Sequence, residues 1–324
     1  MNRQYLKNGT ELELNGDIFK IVERIGTNGY SVVYEVEKKG NECTYKYYLK
    51  ECYPLNAKVM RNDDGFLIWA DEKERKRSSD DFEDVYNNLL KIQNNDKIKN
   101  LTSKIYETMG TKYFLIESGS GENFVTNKPE GLSDILTLII ELSKLIRKYH
   151  NAGYLHLGIK PENIFVFEEI YELPVLFDGE SVILNNTLVN EEVESFSISL
   201  GCSAPELIKG NIYEIDEYSG EKTKIINERT DIYSIGAILF YKIMGRYVRA
   251  LDRGIFADWD FDNNYFFRKI NPKVKKYVKD IFYKTLAVQN QDRYNNITEL
   301  IETLNVAKKF VMKKYILNLI VRIR

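Results

Sequence analysis

Cysteine is scarce in this chain of 324 residues. Cys43, Cys52 and Cys202 are the only three, and none stands in a CxxC spacing. That excludes a disulfide framework and a zinc knuckle, and it suits a reducing compartment. Histidine is rarer still, with two residues, which rules out a histidine-based metal centre. An excess of positive charge is missing too. Lys and Arg number 46 against 48 Asp and Glu, a formal charge of −2, so no global field draws the chain to nucleic acid. No stretch reaches the roughly 18 uninterrupted apolar residues of a membrane span. Met1 to Lys7 lacks the apolar run that opens a secretory signal, so the expected location is the cytoplasm. What is present is a globular composition, 44% apolar and 29% charged, on a chain long enough for one two-lobed unit or two domains.

The first third reads as strands. Phe19 to Ile25 alternates and stops at Gly26, Tyr30 to Glu37 resumes the pattern, and Thr44 to Glu51 follows the turn Lys39-Gly40-Asn41-Glu42. Val59-Met60-Arg61 and Phe66 to Trp69 flank Asn62-Asp63-Asp64-Gly65, the pattern of a small hairpin. A helix is expected over Asp80 to Asn94, with strands around Lys104 to Glu107 and Lys112 to Glu117. Past Gly119-Ser120-Gly121 the pattern turns helical. Ser133 is placed to cap a helix whose apolar positions Ile135, Leu138, Ile139, Leu142, Leu145, Ile146 and Tyr149 follow the 3.6-residue period, with Gly153 as its stop. Thr230 to Met244 is apolar nearly all round, which marks a buried helix. Val274, Val278, Ile281 and Phe282 stripe another, and Asn296-Ile297-Thr298-Glu299 has the form of a capping box before a last one. The expected fold class is α+β: a β-rich lobe over residues 1–117, a helical lobe over 118–304, and a basic tail over 305–324.

Three segments carry chemistry. Ile25-Gly26-Thr27-Asn28-Gly29-Tyr30-Ser31-Val32-Val33-Tyr34 places glycines between two strands, where backbone amides can approach phosphates. An ordinary hairpin explains that turn about equally well. Leu49-Lys50-Glu51-Cys52-Tyr53-Pro54 puts a lysine on the next strand; buried there, it needs an anionic partner. Tyr154-Leu155-His156-Leu157-Gly158-Ile159-Lys160-Pro161-Glu162-Asn163 comes third. Leu176-Phe177-Asp178-Gly179-Glu180, Gly201 to Glu206, Asp231 to Gly236 and Asp292-Arg293-Tyr294 follow in order. From Leu12 to Leu304 this series resembles the eukaryotic-like serine/threonine protein kinases of bacteria, and Lys-Glu-x-Tyr-Pro is typical of one bacterial branch.

The resemblance implies a bilobal protein kinase fold with ATP and Mg2+ as ligands. It gives Gly26, Gly29 and Val33 to the nucleotide, together with a hinge at Glu117 to Gly119 and Ile116 beside the adenine pocket. Lys50 takes the place of the lysine that pairs with the α- and β-phosphates, and Lys160 that of the lysine steadying the transferred group. Asn163 and Asp178 match the metal-binding positions, with oxygen donors that suit magnesium. Glu206 and Arg293 match a buried structural ion pair, and Asp231 the aspartate that anchors the catalytic loop. His156 is implied to be a packing and hydrogen-bonding residue of that loop.

Several positions depart from the family pattern. Gly158 stands where the catalytic aspartate belongs, and a glycine can neither accept nor orient the substrate's hydroxyl proton. Losing a positioned base removes about 10²- to 10⁴-fold in rate. Tyr48 stands where alanine roofs the adenine, Asn28 and Ser31 replace two loop glycines, and Gly179 and Glu180 follow the metal aspartate in place of phenylalanine and glycine. Leu157 replaces the arginine that binds a phosphorylated activation loop, so Ser195, Ser197 and Ser199 are not expected to switch the chain on. Glu83 and Asp84 both remain candidates to pair with Lys50. The leading expectation is a degenerate member of the family, a pseudokinase that acts on a protein partner or regulates another enzyme. The alternative is a weakly active kinase, or an active one silenced by an introduced glycine. Residues 305–324 carry Lys308, Lys309, Lys313, Lys314, Arg322 and Arg324 and no acid. They suit either a last helix packed on the helical lobe or a basic helix lying on an anionic membrane or a partner. Oligomeric state is open at this stage.

Overall fold

The computed structural model describes residues 3–40, 43–93, 101–117, 121–167, 173–176, 179, 181–185, 198–210, 212–215, 218, 220–268 and 270–323. The chain forms two compact units, residues 1–120 and 121–324.

The first unit is strand-rich. Strands β1 (Glu11–Leu14), β2 (Asp17–Thr27), β3 (Ser31–Lys39) and β4 (Thr44–Cys52) run on through a separate hairpin, β5 (Val59–Arg61) and β6 (Leu67–Trp69). Helix α1 (Glu72–Gln93) follows, then β7 (Leu101–Thr108) and β8 (Thr111–Glu117). The main sheet is antiparallel in the order β1-β2-β3-β4-β8-β7. Its strands alternate as the sequence does, but Ser31 to Tyr34 of β3 and Tyr48 to Cys52 of β4 are buried on both faces. One face carries Leu12, Phe19, Ile21, Tyr34, Leu49, Tyr113 and Leu115 in a single cluster with Leu6, Val59 and Leu67, so the N-terminal segment and the hairpin roof that side. On the other face α1 lays Phe82 and Tyr86 against the ring of Phe114, at 5.1 and 5.4 Å. Helix α1 begins eight residues before the expected start at Asp80, because its first two turns are charged and carry no apolar stripe to read. Acidic Glu72 and Glu74 favour that start by complementing the helix dipole.

The second unit is mainly helical. It opens with β9 (Gly121–Asn123) and α2 (Leu132–Asn151), followed by β10 (Tyr154–Leu155) and a single 3₁₀ turn at Pro161–Asn163. Next come β11 (Ile164–Phe167), β12 (Leu173–Leu176), β13 (Ile183–Leu184), α3 (Pro205–Lys209), β14 (Tyr213–Ile215) and β15 (Lys222–Lys224). Helices α4 (Glu228–Met244), α5 (Pro272–Thr285) and α6 (Ile297–Ile323) complete it. Of the seven apolar positions read on α2, all but Leu145 are buried. Its cap differs from expectation: the N-cap is Gly131, whose N–H donates to the Asp134 carboxylate at 3.0 Å, while Ser133 already lies inside the helix. Gly153 closes the helix with φ +84° and its N–H on the His150 carbonyl. Helix α4 is buried along almost its whole length, and Gly236 within it lies so close to Thr285 of α5 that a Cβ there would stand 2.2 Å from Oγ1. At α6 the Asn296 side chain accepts from the Glu299 N–H, while the Glu299 carboxylate reaches back to the Asn295 N–H. The boundary expected between residues 304 and 305 falls inside this helix. Ala307 is buried and Phe310 stacks on Tyr277 of α5 with ring centroids 5.0 Å apart. No helix among the described residues is long and apolar enough to cross a membrane.

Candidate functional site

In the strand-rich unit, Lys50 lies on β4 with Val33 of β3 and Phe114 of β8 as its cross-strand neighbours. Lys50 is fully buried, and its Nζ sits 5.9 Å from the centroid of Phe114. Tyr48, two residues earlier, faces the same side opposite Ile116; both are buried. Gly26 pairs with Val33 at a bulge, and Gly29 sits in the turn before β3. Neither glycine adopts a left-handed φ, and a Cβ on either would meet nothing within 4 Å. The fold itself therefore makes no demand for glycine at these two positions. Glu117 ends β8, and Gly119 lies outside the described residues. The acidic candidates on α1 point elsewhere: Glu83 is paired with Lys112 at 2.5 Å, and Asp84 is exposed.

The neighbour of Lys50 was not singled out by the sequence. Glu51 points to the opposite face of β4 and is also fully buried. Its Oε1 accepts from Arg61 Nη2 at 2.7 Å and from the Tyr113 hydroxyl at 2.6 Å, and its Oε2 accepts from the Tyr34 hydroxyl at 3.0 Å. Burial first, and then the adjacent carboxylate, push the Tyr113 and Tyr34 phenols well above their ordinary range, so both stay protonated donors. Arg61 completes its contacts with the Gln4 and Gly65 carbonyls. The available signal was alternation. A strand with large apolar residues on both faces has no solvated side for a glutamate, and Arg61 stands between residues of a hairpin whose inner positions are apolar.

In the helical unit, the segment from His156 to Asn163 is held from beneath by Asp231 of α4. The Asp231 carboxylate accepts the N–H groups of His156 and Leu157, each at 2.8 Å, and lies 2.9 Å from His150 Nε2. Burial would raise this carboxyl, but His150 and the backbone donors outweigh it and hold it below the usual carboxylate range. His150 is a second residue that the sequence reading passed over. His156 is buried against Tyr149, and its Nδ1 accepts the Gly158 N–H at 3.3 Å. Asn163 donates through Nδ2 to the Gly158 carbonyl at 3.0 Å, which leaves its amide oxygen as the end able to face a cation. Gly158 is buried, and it is not among the glycines with left-handed φ. Leu157 does take a left-handed φ of +56°. Its side chain fills an apolar cluster with Leu155, Leu207 and Ile226, so no cation stands at this position. Lys160 is the N-cap of the 3₁₀ turn, and Glu162 within that turn accepts from the Tyr247 hydroxyl. Asp178, Phe177, Glu180, Ser195 and Ser197 lie outside the described residues.

Glu206 and Arg293 form a two-pronged buried pair at 2.7 and 2.8 Å. Thr230 adds a hydroxyl donor to Glu206 at 2.9 Å. Burial opposes ionisation of Glu206, and the Arg293 guanidinium overcomes it, holding the carboxyl below its ordinary value.

No family model matches the chain. Over 111 residues it is 29% identical to serine/threonine-protein kinase 16 of Mus musculus, a match covering 34% of this chain and 35% of that protein. Over 297 residues it is 21% identical to a probable serine/threonine-protein kinase of Clostridium perfringens, covering 91% of this chain and 39% of the other. These matches thus span little more than a third of the length of either relative. Among solved structures, the apo form of PpkA-294 superposes with a TM-score of 0.60 at 24% identity, over 93% of this chain and 99% of that one. The BubR1 kinase domain gives 0.60 at 16% identity, over 97% and 87%. The chain has a protein kinase-like fold of the α+β class and is similar in sequence to serine/threonine protein kinases.

Proposed function

We propose that this chain is a pseudokinase: a kinase-fold domain with impaired phosphoryl transfer that works by binding or regulating a protein partner and keeps ATP and Mg2+ as ligands. The observation that carries this reading is Gly158. The loop around it has its supports, with Asp231 holding two backbone N–H groups and Asn163 bonded to the Gly158 carbonyl, yet residue 158 has no side chain. A scaffold kept in order around an absent base fits binding better than catalysis, since about 3–5 kcal/mol of barrier lowering goes with that base.

The residues present fit the ligands in part. Glycine at 26 and 29 is unneeded by the chain's own packing, which leaves the close approach of an outside group as its use. Lys50 would pair with phosphate oxygens, and the Asn163 amide oxygen, together with Asp178, would hold the metal. Magnesium, when bound, neutralises phosphate charge. The buried Tyr48 opposes the purine at the roof position. A second reading, a slow kinase, draws on the same Lys50, Asn163 and Asp178.

A thermal-shift titration with ATP, with and without magnesium, tests the ligand part: nucleotide at 100 times its Kd stabilises by about 2.7 kcal/mol. Because residue 158 does not need a left-handed backbone, Gly158→Asp is a fair restoration, and it should gain phosphoryl transfer by about 10²-fold or more. Strong transfer by the unaltered chain overturns the pseudokinase reading.

A further inference from the structure

The turn between β2 and β3 folds its Asn28 side chain back onto its own donors. The Asn28 side-chain oxygen accepts from the Tyr30 N–H at 2.8 Å, the Ser31 N–H at 2.7 Å and the Ser31 hydroxyl at 3.2 Å. The Asn28 N–H donates to the Ser31 carbonyl at 3.1 Å. The carbonyls of the turn are taken as well. Gly29 O accepts from the Leu55 N–H at 2.7 Å, and Tyr30 O from the Tyr53 N–H at 3.1 Å. From outside, Arg3 donates through Nη1 to Asn28 O at 2.8 Å and Ser31 O at 3.4 Å, and through Nη2 to Gly29 O at 3.0 Å. Its guanidinium also lies 5.5 Å from the Tyr53 ring, and its Nε is buried without a partner.

Consecutive backbone N–H groups converging on one oxygen form the concavity that proteins use for anions. Here the oxygen is the chain's own carboxamide. We propose that Asn28 and Arg3 form a latch on this turn: Asn28 occupies the seat of a phosphate oxygen, and Arg3 grips the turn's carbonyls so that the seat stays filled. This rests on the reading of the turn as a nucleotide site and adds its regulation. A phosphate oxygen is charged and makes the stronger hydrogen bond, so it displaces a neutral amide oxygen, but at reduced affinity. The loss of glycine at 28 thereby acts in a direction that the residue's size alone does not suggest. It leaves the donors in place and spends them.

The test uses the full chain, with magnesium tripolyphosphate and magnesium ATP as separate probes in titration calorimetry. Asn28→Gly should bind tripolyphosphate at least about tenfold more tightly than the unaltered chain, a change of about 1.4 kcal/mol. Unchanged or weaker binding overturns the latch. Arg3→Ala, followed by amide hydrogen exchange at Tyr30 and Ser31, should speed exchange at both; unchanged protection also overturns it. If Asn28→Gly gains tripolyphosphate while ATP binds no better than tripolyphosphate, the latch stands and the nucleotide reading fails. If ATP binds both chains equally, the latch fails and the nucleotide reading stands.

Discussion

Among the described residues, each unit of this protein buries a glutamate–arginine pair, and the two pairs are built differently. In the helical unit, Glu206 receives both prongs of Arg293, one on each oxygen, and Arg293 also donates to the Ala287, Val288 and Arg229 carbonyls. In the strand-rich unit, Glu51 receives one Arg61 nitrogen and two phenols. The first carboxylate takes its counter-charge and its two shortest hydrogen bonds from its arginine, and keeps besides them the Thr230 hydroxyl at 2.9 Å and Asn290 Nδ2 at 3.4 Å. The second would keep two closer neutral donors without the cation, the phenols of Tyr113 at 2.6 Å and Tyr34 at 3.0 Å. Removing one partner from a buried pair leaves an uncompensated charge, and the cost depends on what else solvates it.

The largest expected effect follows from that difference. Arg293→Ala should cost about 3–5 kcal/mol in denaturant unfolding of the helical unit. Arg61→Ala should cost less, about 2–3 kcal/mol, because Tyr34 and Tyr113 still donate to Glu51. Equal losses would break the comparison. A smaller effect should separate the units by pH. The carboxyls of Glu206 and Asp231 sit below their ordinary values, and that of Asp252 is brought to about 2: burial alone would raise it, and Arg246 and Arg249 more than compensate. A carboxyl with a depressed folded pKa contributes stability above its unfolded value and loses it as pH falls through the folded one. For Asp252 that window runs from 3.8 down to about 2. Each unit has one tryptophan, Trp69 and Trp259. In single-tryptophan variants, acid titration should disturb Trp259 fluorescence at a higher pH than Trp69. The reverse order would point to acid-sensitive groups in the strand-rich unit.

The same two pairs show how far the sequence could be read. Glu206 and Arg293 were legible through a motif and its spacing, as was Asp231 beneath the loop. Glu51 was hidden by Lys50: the motif carries information about one face of β4 alone, whereas the Glu51 partners Tyr34, Arg61 and Tyr113 come from three other strands on the opposite face. Periodicity located the cores of α2, α4 and α5 because burial there is one-sided or complete. It missed the first turns of α1, where charged residues face solvent and the helix is held by its later positions. Ser133 looked like a cap by residue type, yet Gly131 is the N-cap; it has no side chain to accept an N–H, and the start is marked instead by the Asp134 carboxylate accepting the Gly131 N–H. In the glycine turn, residue type suggested donors left open, but the Asn28 side chain turns back onto them, a rotamer choice that residue type does not encode.

The segment before β2 has a consequence for anyone choosing where to trim this protein. Leu6 and β1 cover the outer side of the sheet, Gln4 holds Arg61, and Arg3 reaches the turn ahead of β3. A shortened version starting at Asp17, the first residue of β2, would wet the Glu51 carboxylate and slacken the turn at once. It should be harder to purify folded than its length suggests, and an affinity tag belongs at the other terminus.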